Sequence, residues 1–349
     1  MNHPESNPTI RVHGGPDVLG PVRDDFSSNA NSVGPNPLVV DLIRQADVVH
    51  YPDPSYHDLR QVLADLHGVD ARRILITGSA SEFIFRITSS VSQRSARSKS
   101  KGDGSANSFV WFPAHAYGDY ASASDAWGLS QTEAYHQADL IWLCEPSSPL
   151  GQSIPDLDNI VDSLNTDQIT VLDCAYEPLR LSGKLNLNKG QLNRLWQMWT
   201  PNKALGLTGV RGAYVIAPLH CEQLVQTLIA MAPSWIVGSE GVEMLKGWAR
   251  PDVQNWVLDS LLKLRGWKTE QISLCNELGL QTIDSVSNFF CVSHPLYKPA
   301  EYLPVLRQFD IKLRDAASFG LPEHVRMAVL PPQAQQRLRD AMMHFIRSM

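Results

Sequence analysis

Lys203 stands in the run Trp199-Thr200-Pro201-Asn202-Lys203-Ala204-Leu205-Gly206-Leu207-Thr208-Gly209-Val210-Arg211-Gly212. A hydroxyl lies three residues before the lysine and an arginine eight residues after it. A lysine that forms an imine needs a dry site and a lowered pKa. A phosphate held beside it needs a hydroxyl, backbone N–H groups and a guanidinium. Together these are the means by which pyridoxal phosphate is held, its aldehyde on the lysine and its phosphate clamped nearby. Alone, the run would read as a surface loop; the residues that accompany it change that reading.

Asp173 follows the apolar stretch Thr170-Val171-Leu172, with Tyr176 three residues on. A carboxylate at a pyridine nitrogen keeps that nitrogen protonated and the ring an electron sink, and a phenol near the ring hydroxyl tunes the imine. Thr77-Gly78-Ser79-Ala80-Ser81-Glu82 joins a strand to a helix, where small residues let backbone N–H groups reach a phosphate. Tyr117 follows the next strand and offers an aromatic face to the ring. Glu145-Pro146-Ser147-Ser148-Pro149-Leu150-Gly151 forms a stiff turn that can hold Ser148 against the cofactor. Arg314 and Arg326, each beside strand-like residues, suit a substrate carboxylate.

Positioning such a set requires strands that end on one edge of a sheet. Apolar runs at 74–76, 109–112, 140–143, 170–172 and 213–216 read as buried strands, with helical patterns at 56–67, 82–91, 117–127 and 157–165 between them. That alternation predicts an α/β fold with a mostly parallel sheet, whose ligands sit at the carboxyl ends of its strands. A single helix is expected over about 239–267 and a last one over 332–347, within a smaller α+β region. The expected division is an arm at 1–37 packing on the small domain, a large cofactor domain at 38–238 and a small domain at 239–349. The Ser/Gly/basic stretch 92–108 reads as a flexible surface loop.

The bulk numbers exclude several function classes. Thirty Lys and Arg against 36 Asp and Glu give a net charge of −6 over 349 residues, which suits no nucleic-acid surface. Five scattered cysteines with no CxxC pair indicate neither a disulfide framework nor a metal site. The first residues carry no apolar signal-peptide core and no stretch is long enough to span a bilayer, so a cytoplasmic protein without a membrane partner is expected.

These motifs in this order resemble the fold-type I pyridoxal-phosphate enzymes of the class I/II aminotransferase superfamily, over nearly the whole chain. Two branches compete: histidinol-phosphate aminotransferase and the threonine-phosphate decarboxylase of cobalamin synthesis. The resemblance implies that Lys203 binds the cofactor and shuttles the proton, that Asp173 pairs with the pyridinium nitrogen and that Tyr176 and Ser148 lie at O3′. It places Ser79, Ala80, Ser81, Thr200 and Arg211 on the phosphate and Tyr117 on the ring. It also implies a homodimer in which Tyr51, from Tyr51-Pro52-Asp53-Pro54, reaches the neighbouring subunit's phosphate. His13-Gly14-Gly15, the segment Asp25–Pro35 and the signature around Arg314 and Arg326 resemble the decarboxylase branch and make threonine-phosphate decarboxylase the leading expectation, with the histidinol-phosphate type of aminotransferase as the alternative. On that reading Arg326 holds the substrate carboxylate, and Asn31, Arg314, His13 and Gly14 contact its anionic ends. Two departures stand out: Glu145 and Ser148 occupy positions where the family usually has asparagines. A non-enzymatic sensor module is the remote alternative, disfavoured because no DNA-binding segment accompanies the fold.

Overall fold

Alternating side chains of Leu140-Ile141-Trp142-Leu143 divide between two apolar clusters. Leu140 and Trp142 pack with Phe83, Ile87 and Tyr120, whereas Ile141 and Leu143 pack with Leu157 and Val161. A strand buried on both faces belongs at the centre of a sheet covered by helices on each side. The computed structural model, which describes residues 13–100 and 108–349, has that architecture.

The N-terminal arm contributes a short strand, β1 (Asp24–Asp25). The large sheet follows: β2 (Ile74–Thr77), β3 (Phe109–Trp111), β4 (Ser130–Gln131), β5 (Leu140–Cys144), β6 (Ile169–Asp173), β7 (Trp196–Trp199) and β8 (Ala213–Ile216). Their order is β2-β8-β7-β6-β5-β3-β4. The pairs β7–β6, β6–β5, β5–β3 and β3–β4 are parallel, and β8 runs antiparallel to both its neighbours. The carboxyl ends of β2, β3, β5, β6 and β7 therefore share one edge, where the amino end of β8 also lies.

The chain then forms β9 (Gln281–Thr282), β10 (Phe289–Ser293), β11 (Ile311–Lys312), β12 (Arg314–Asp315) and β13 (His324–Ala328). An antiparallel sheet orders four of these β12-β13-β10-β9, while β11 pairs in parallel with β1. In the arm the Phe26 carbonyl also accepts from the Ala328 N–H at 2.8 Å, and Asp24 is held bidentately by Arg337. Among the described residues no helix is long and apolar enough to cross a membrane.

Two expectations need correction. The helix expected over 239–267 is two helices, Ser239–Trp248 and Pro251–Glu277. Arg250 is extended, φ −73° and ψ 137°, as the residue before a proline favours, and Pro251 then opens the second helix. The stretch expected to be a loop from 92 continues the helix Ala80–Ser100, because no glycine or proline intervenes before Gly102; residues 101–107 lie outside the described residues. A helix at Pro37–Arg44, capped by the Asn36 side chain on the Val39 N–H, begins where the arm was expected to end.

Candidate active site

Asp173 is the last residue of β6, on the same face as Val171, so it points toward the helix Gly118–Trp127 that covers that face. From that helix Tyr120 donates its hydroxyl to Asp173 Oδ2 at 2.7 Å, and the Ala175 N–H donates to Oδ1 at 2.9 Å. Burial pushes the Asp173 carboxyl above its ordinary value; the Tyr120 and Ala175 hydrogen bonds and the charge of Lys203 oppose the rise. Tyr120 itself is stacked on Trp142 with ring centroids 4.5 Å apart. Its role was missed from the sequence, although Tyr117 and Tyr120 are three residues apart, one turn along the same helix face.

Lys203 follows β7 and is half-buried, its Nζ 5.0 Å from the centre of the Tyr176 ring. The Tyr176 hydroxyl accepts from Asn29 Nδ2 at 3.3 Å, and its ring meets Phe289 edge-on. Thr200 is buried and its Oγ1 has no hydrogen-bond partner among the described residues. Ser79, Ser81 and Arg211 line one cavity of about 690 Å³ at the start of the helix Ala80–Ser100. Within it Ser79 Oγ accepts from the Glu82 N–H at 3.1 Å, Ser81 and Tyr117 hydroxyls lie 3.2 Å apart, and Arg211 is exposed. Ala80 is the first helical residue there.

Arg326 and Arg314 are cross-strand partners on β13 and β12, both buried. Arg326 donates through Nη1 to Ser148 Oγ at 3.3 Å and through Nη2 to the Ser27 carbonyl at 3.2 Å; its Nε is buried without a partner among the described residues. Burial, then the charge of Arg326, pushes Arg314 down to about 10. Ser148 thus faces a guanidinium. Glu145 is placed differently: it is buried against Arg180 at 2.5 Å and accepts from the Ile154 N–H at 2.6 Å, so it braces the turn.

The structure does not turn the Asn31 amide into this space. Its Nδ2 donates to the Ala204 carbonyl and Ser260 Oγ, and its Oδ1 accepts from Val33, so it anchors the arm beside Lys203. Asn29, two residues earlier, is the arm amide that meets Tyr176, and its Oδ1 is buried without a partner among the described residues. His13 lies 6.2 Å from the Tyr117 ring. Gly14 fits where a Cβ would come within 2.0 Å of the Ser27 carbonyl oxygen, which is why no larger residue is possible. Tyr51 does not join the group within this chain; it is exposed and stacked on Trp235 at 4.3 Å.

A buried carboxylate beside a lysine, an unpartnered buried hydroxyl and a serine-lined helix start suit a phosphorylated pyridine: ring nitrogen on Asp173, phosphate on the serines and Thr200. Residues 116–342 match the family model described as aminotransferase class I and II. The chain belongs to that family. As a member it is a pyridoxal-phosphate enzyme with a fold-type I architecture. The histidinol-phosphate aminotransferase of Ruegeria sp. is 24% identical over 331 residues, which cover 87% of this chain and 85% of that protein. Histidinol-phosphate aminotransferase from Sinorhizobium meliloti, solved with pyridoxal-5′-phosphate, has a TM-score of 0.77 at 21% identity, covering 95% of this chain and 92% of its own. L-threonine-O-3-phosphate decarboxylase from Porphyromonas gingivalis has a TM-score of 0.76 at 22% identity, with 92% and 99% covered.

Proposed function

We propose that this family member moves the amino group of a small phosphorylated amino compound to 2-oxoglutarate, as an aminotransferase of the histidinol-phosphate type. The observation that carries the reading is the pair of buried, cross-strand guanidiniums, Arg314 and Arg326, with Arg326 bonded to Ser148 in the turn after β5 and to the Ser27 carbonyl of the arm. Two fixed cations suit substrates that bring phosphate or carboxylate groups in turn. When bound, pyridoxal phosphate supplies a sink for the electron pair released at the substrate's Cα. Lys203 moves the proton at Cα, Asp173 holds the proton on the ring nitrogen, and Tyr176 with Asn29 donates toward the ring oxygen. Ser79, Ser81, Thr200 and Arg211 hold the phosphate, and Tyr117 lies against the ring. In a homodimer, Tyr51 completes the neighbouring phosphate site.

A second reading, decarboxylation of threonine phosphate for cobalamin synthesis, is favoured by the His13–Gly15 arm. Ser27 holds that arm through the Gly15 N–H at 2.8 Å and seats His13 by Tyr117. The two differ in which bond at the substrate's Cα is broken, that to hydrogen or that to the carboxylate. Threonine phosphate added without and then with 2-oxoglutarate separates them. Conversion to the amine form of the cofactor, reversed by the oxo acid, supports transfer; carbon dioxide release without an acceptor replaces it with decarboxylation. Absence of a cofactor absorbance band that depends on Lys203 would refute both.

A further inference from the structure

Phe319 lies between the two arginines. The Arg314 guanidinium is 4.8 Å from its ring centre and that of Arg326 5.4 Å. Phe289 flanks Arg326 at 5.5 Å. Phe319 belongs to the connection from β12 to β13, a single 3₁₀ turn at Ala317–Phe319 that ends on Gly320 at φ 77°. Such a short connection has little core of its own to fix it.

Its own backbone ties it locally, the Ala316 N–H donating to the His324 carbonyl at 3.0 Å and the Leu321 N–H to the Ala316 carbonyl at 3.2 Å, and a further hold comes from the other sheet. His115, in the loop between β3 and Tyr117, bonds through Nδ1 to the Phe319 carbonyl at 2.7 Å. A carbonyl can only accept, so this ring nitrogen carries the proton. The imidazole also packs on Gly320, where a Cβ would stand 3.4 Å from Nδ1. The loop that carries Tyr117 toward the ring therefore also holds the turn that carries Phe319 against both arginines.

We infer that His115 and Phe319 form a positioning latch that sets the spacing and orientation of Arg314 and Arg326 relative to the cofactor, and so determines which anionic substrates fit. This rests on the proposed function for the identity of the site, though not on the choice between its two reactions. Neither residue touches the reacting atoms. A ring against each guanidinium limits its rotation, and Arg314 is oriented further by donating through Nη1 to the Asp315 carbonyl at 2.5 Å and through Nη2 to Ser318 Oγ at 2.7 Å.

The test uses the holoenzyme and the variants His115→Leu, His115→Asn and Phe319→Leu. Asparagine is included because its amide nitrogen reproduces the position of an imidazole Nδ1 donor. The readouts are the Kd of 2-oxoglutarate from the change in cofactor absorbance, its stabilisation of the protein against heat, and kcat and KM for the reacting amine. His115→Leu and Phe319→Leu are expected to raise Kd and KM about tenfold, as loss of a desolvated cation–ring contact would, with kcat within about threefold. His115→Asn is expected to restore most of the affinity. Unchanged Kd in both leucine variants would overturn the inference, as would a fall in kcat with Kd preserved. A wild-type protein without a Lys203-dependent cofactor band would refute the proposed function instead; thermal stabilisation by 2-oxoglutarate, compared between wild type and His115→Leu, would still decide the latch.

Discussion

The two halves of the site are built in opposite ways. At the end of β6 the Asp173 carboxylate is held within the large sheet's own neighbourhood, by Tyr120 from the helix over that face and by a backbone N–H two residues on. At β12 and β13 distant segments converge: Arg314 bonds locally to the Asp315 carbonyl and Ser318, but Arg326 takes partners from the turn after β5 and from the arm, and Phe319 is held through the loop after β3. The cofactor half stands on strands whose order and direction fix it. The half proposed to take the substrate is an assembly of segments distant in sequence, and there Arg326 Nε is buried without a partner among the described residues. A family that keeps one cofactor chemistry and varies its substrates can change the second half without disturbing the first.

Three perturbations probe that contrast, beginning with the largest. Asp173→Ala removes the charge proposed to hold the ring nitrogen's proton; kcat is expected to fall by about 10³-fold, the scale of a lost electrostatic stabiliser, with KM for the amine little changed. Equal losses in kcat and affinity would mean that the two halves are not separable. Arg326→Lys keeps the charge and loses the planar fork. KM for anionic substrates is expected to rise by about 10- to 100-fold with kcat within a few-fold, measured by steady-state kinetics. A collapse of kcat instead would place Arg326 in the chemistry rather than in binding.

The smallest effect concerns the packing behind the cofactor half. His67 bonds through Nε2 to the Tyr214 hydroxyl at 2.7 Å and lies against Trp199, between strands that lead to Thr200 and from Arg211. Burial pushes its imidazole down to about 4. The folded pKa is below the unfolded one, near 6.5, so the unfolded chain binds more protons in between. Stability is therefore full above about pH 6.5 and lost progressively as pH falls toward 4, by about 3 kcal/mol. Chemical denaturation of wild type and His67→Gln across that range checks it: the variant should show a shallower slope, and an identical slope would remove His67 from the account.

Much of the fold was legible because burial writes itself into residue type. The strands at 74–77, 140–144, 169–173 and 213–216 are near-continuous apolar runs, and Asp173 stands out as the charge that ends one of them. The strand Trp196–Trp199 was harder to see, since Gln197 interrupts its pattern; that side chain is buried by bonding the Leu192 carbonyl. Asn29 and Asn31 are chemically identical and two residues apart. Nothing local says which one anchors the arm and which one meets Tyr176, because the difference lies in Ser260 and Ala204 far along the chain.

The sequence by itself determined the cofactor chemistry and the order of the elements that carry it. Lysine, aspartate and the serine-rich helix start each follow a strand, and parallel strands bring their carboxyl ends to one edge whatever else the chain does. Only the tertiary structure decided that Glu145 is a brace on Arg180, that Ser148 faces Arg326, and that His115 reaches Phe319. Each of those contacts joins segments tens to hundreds of residues apart. Such pairings depend on how whole sheets and helices pack, and no local pattern of residue types encodes them.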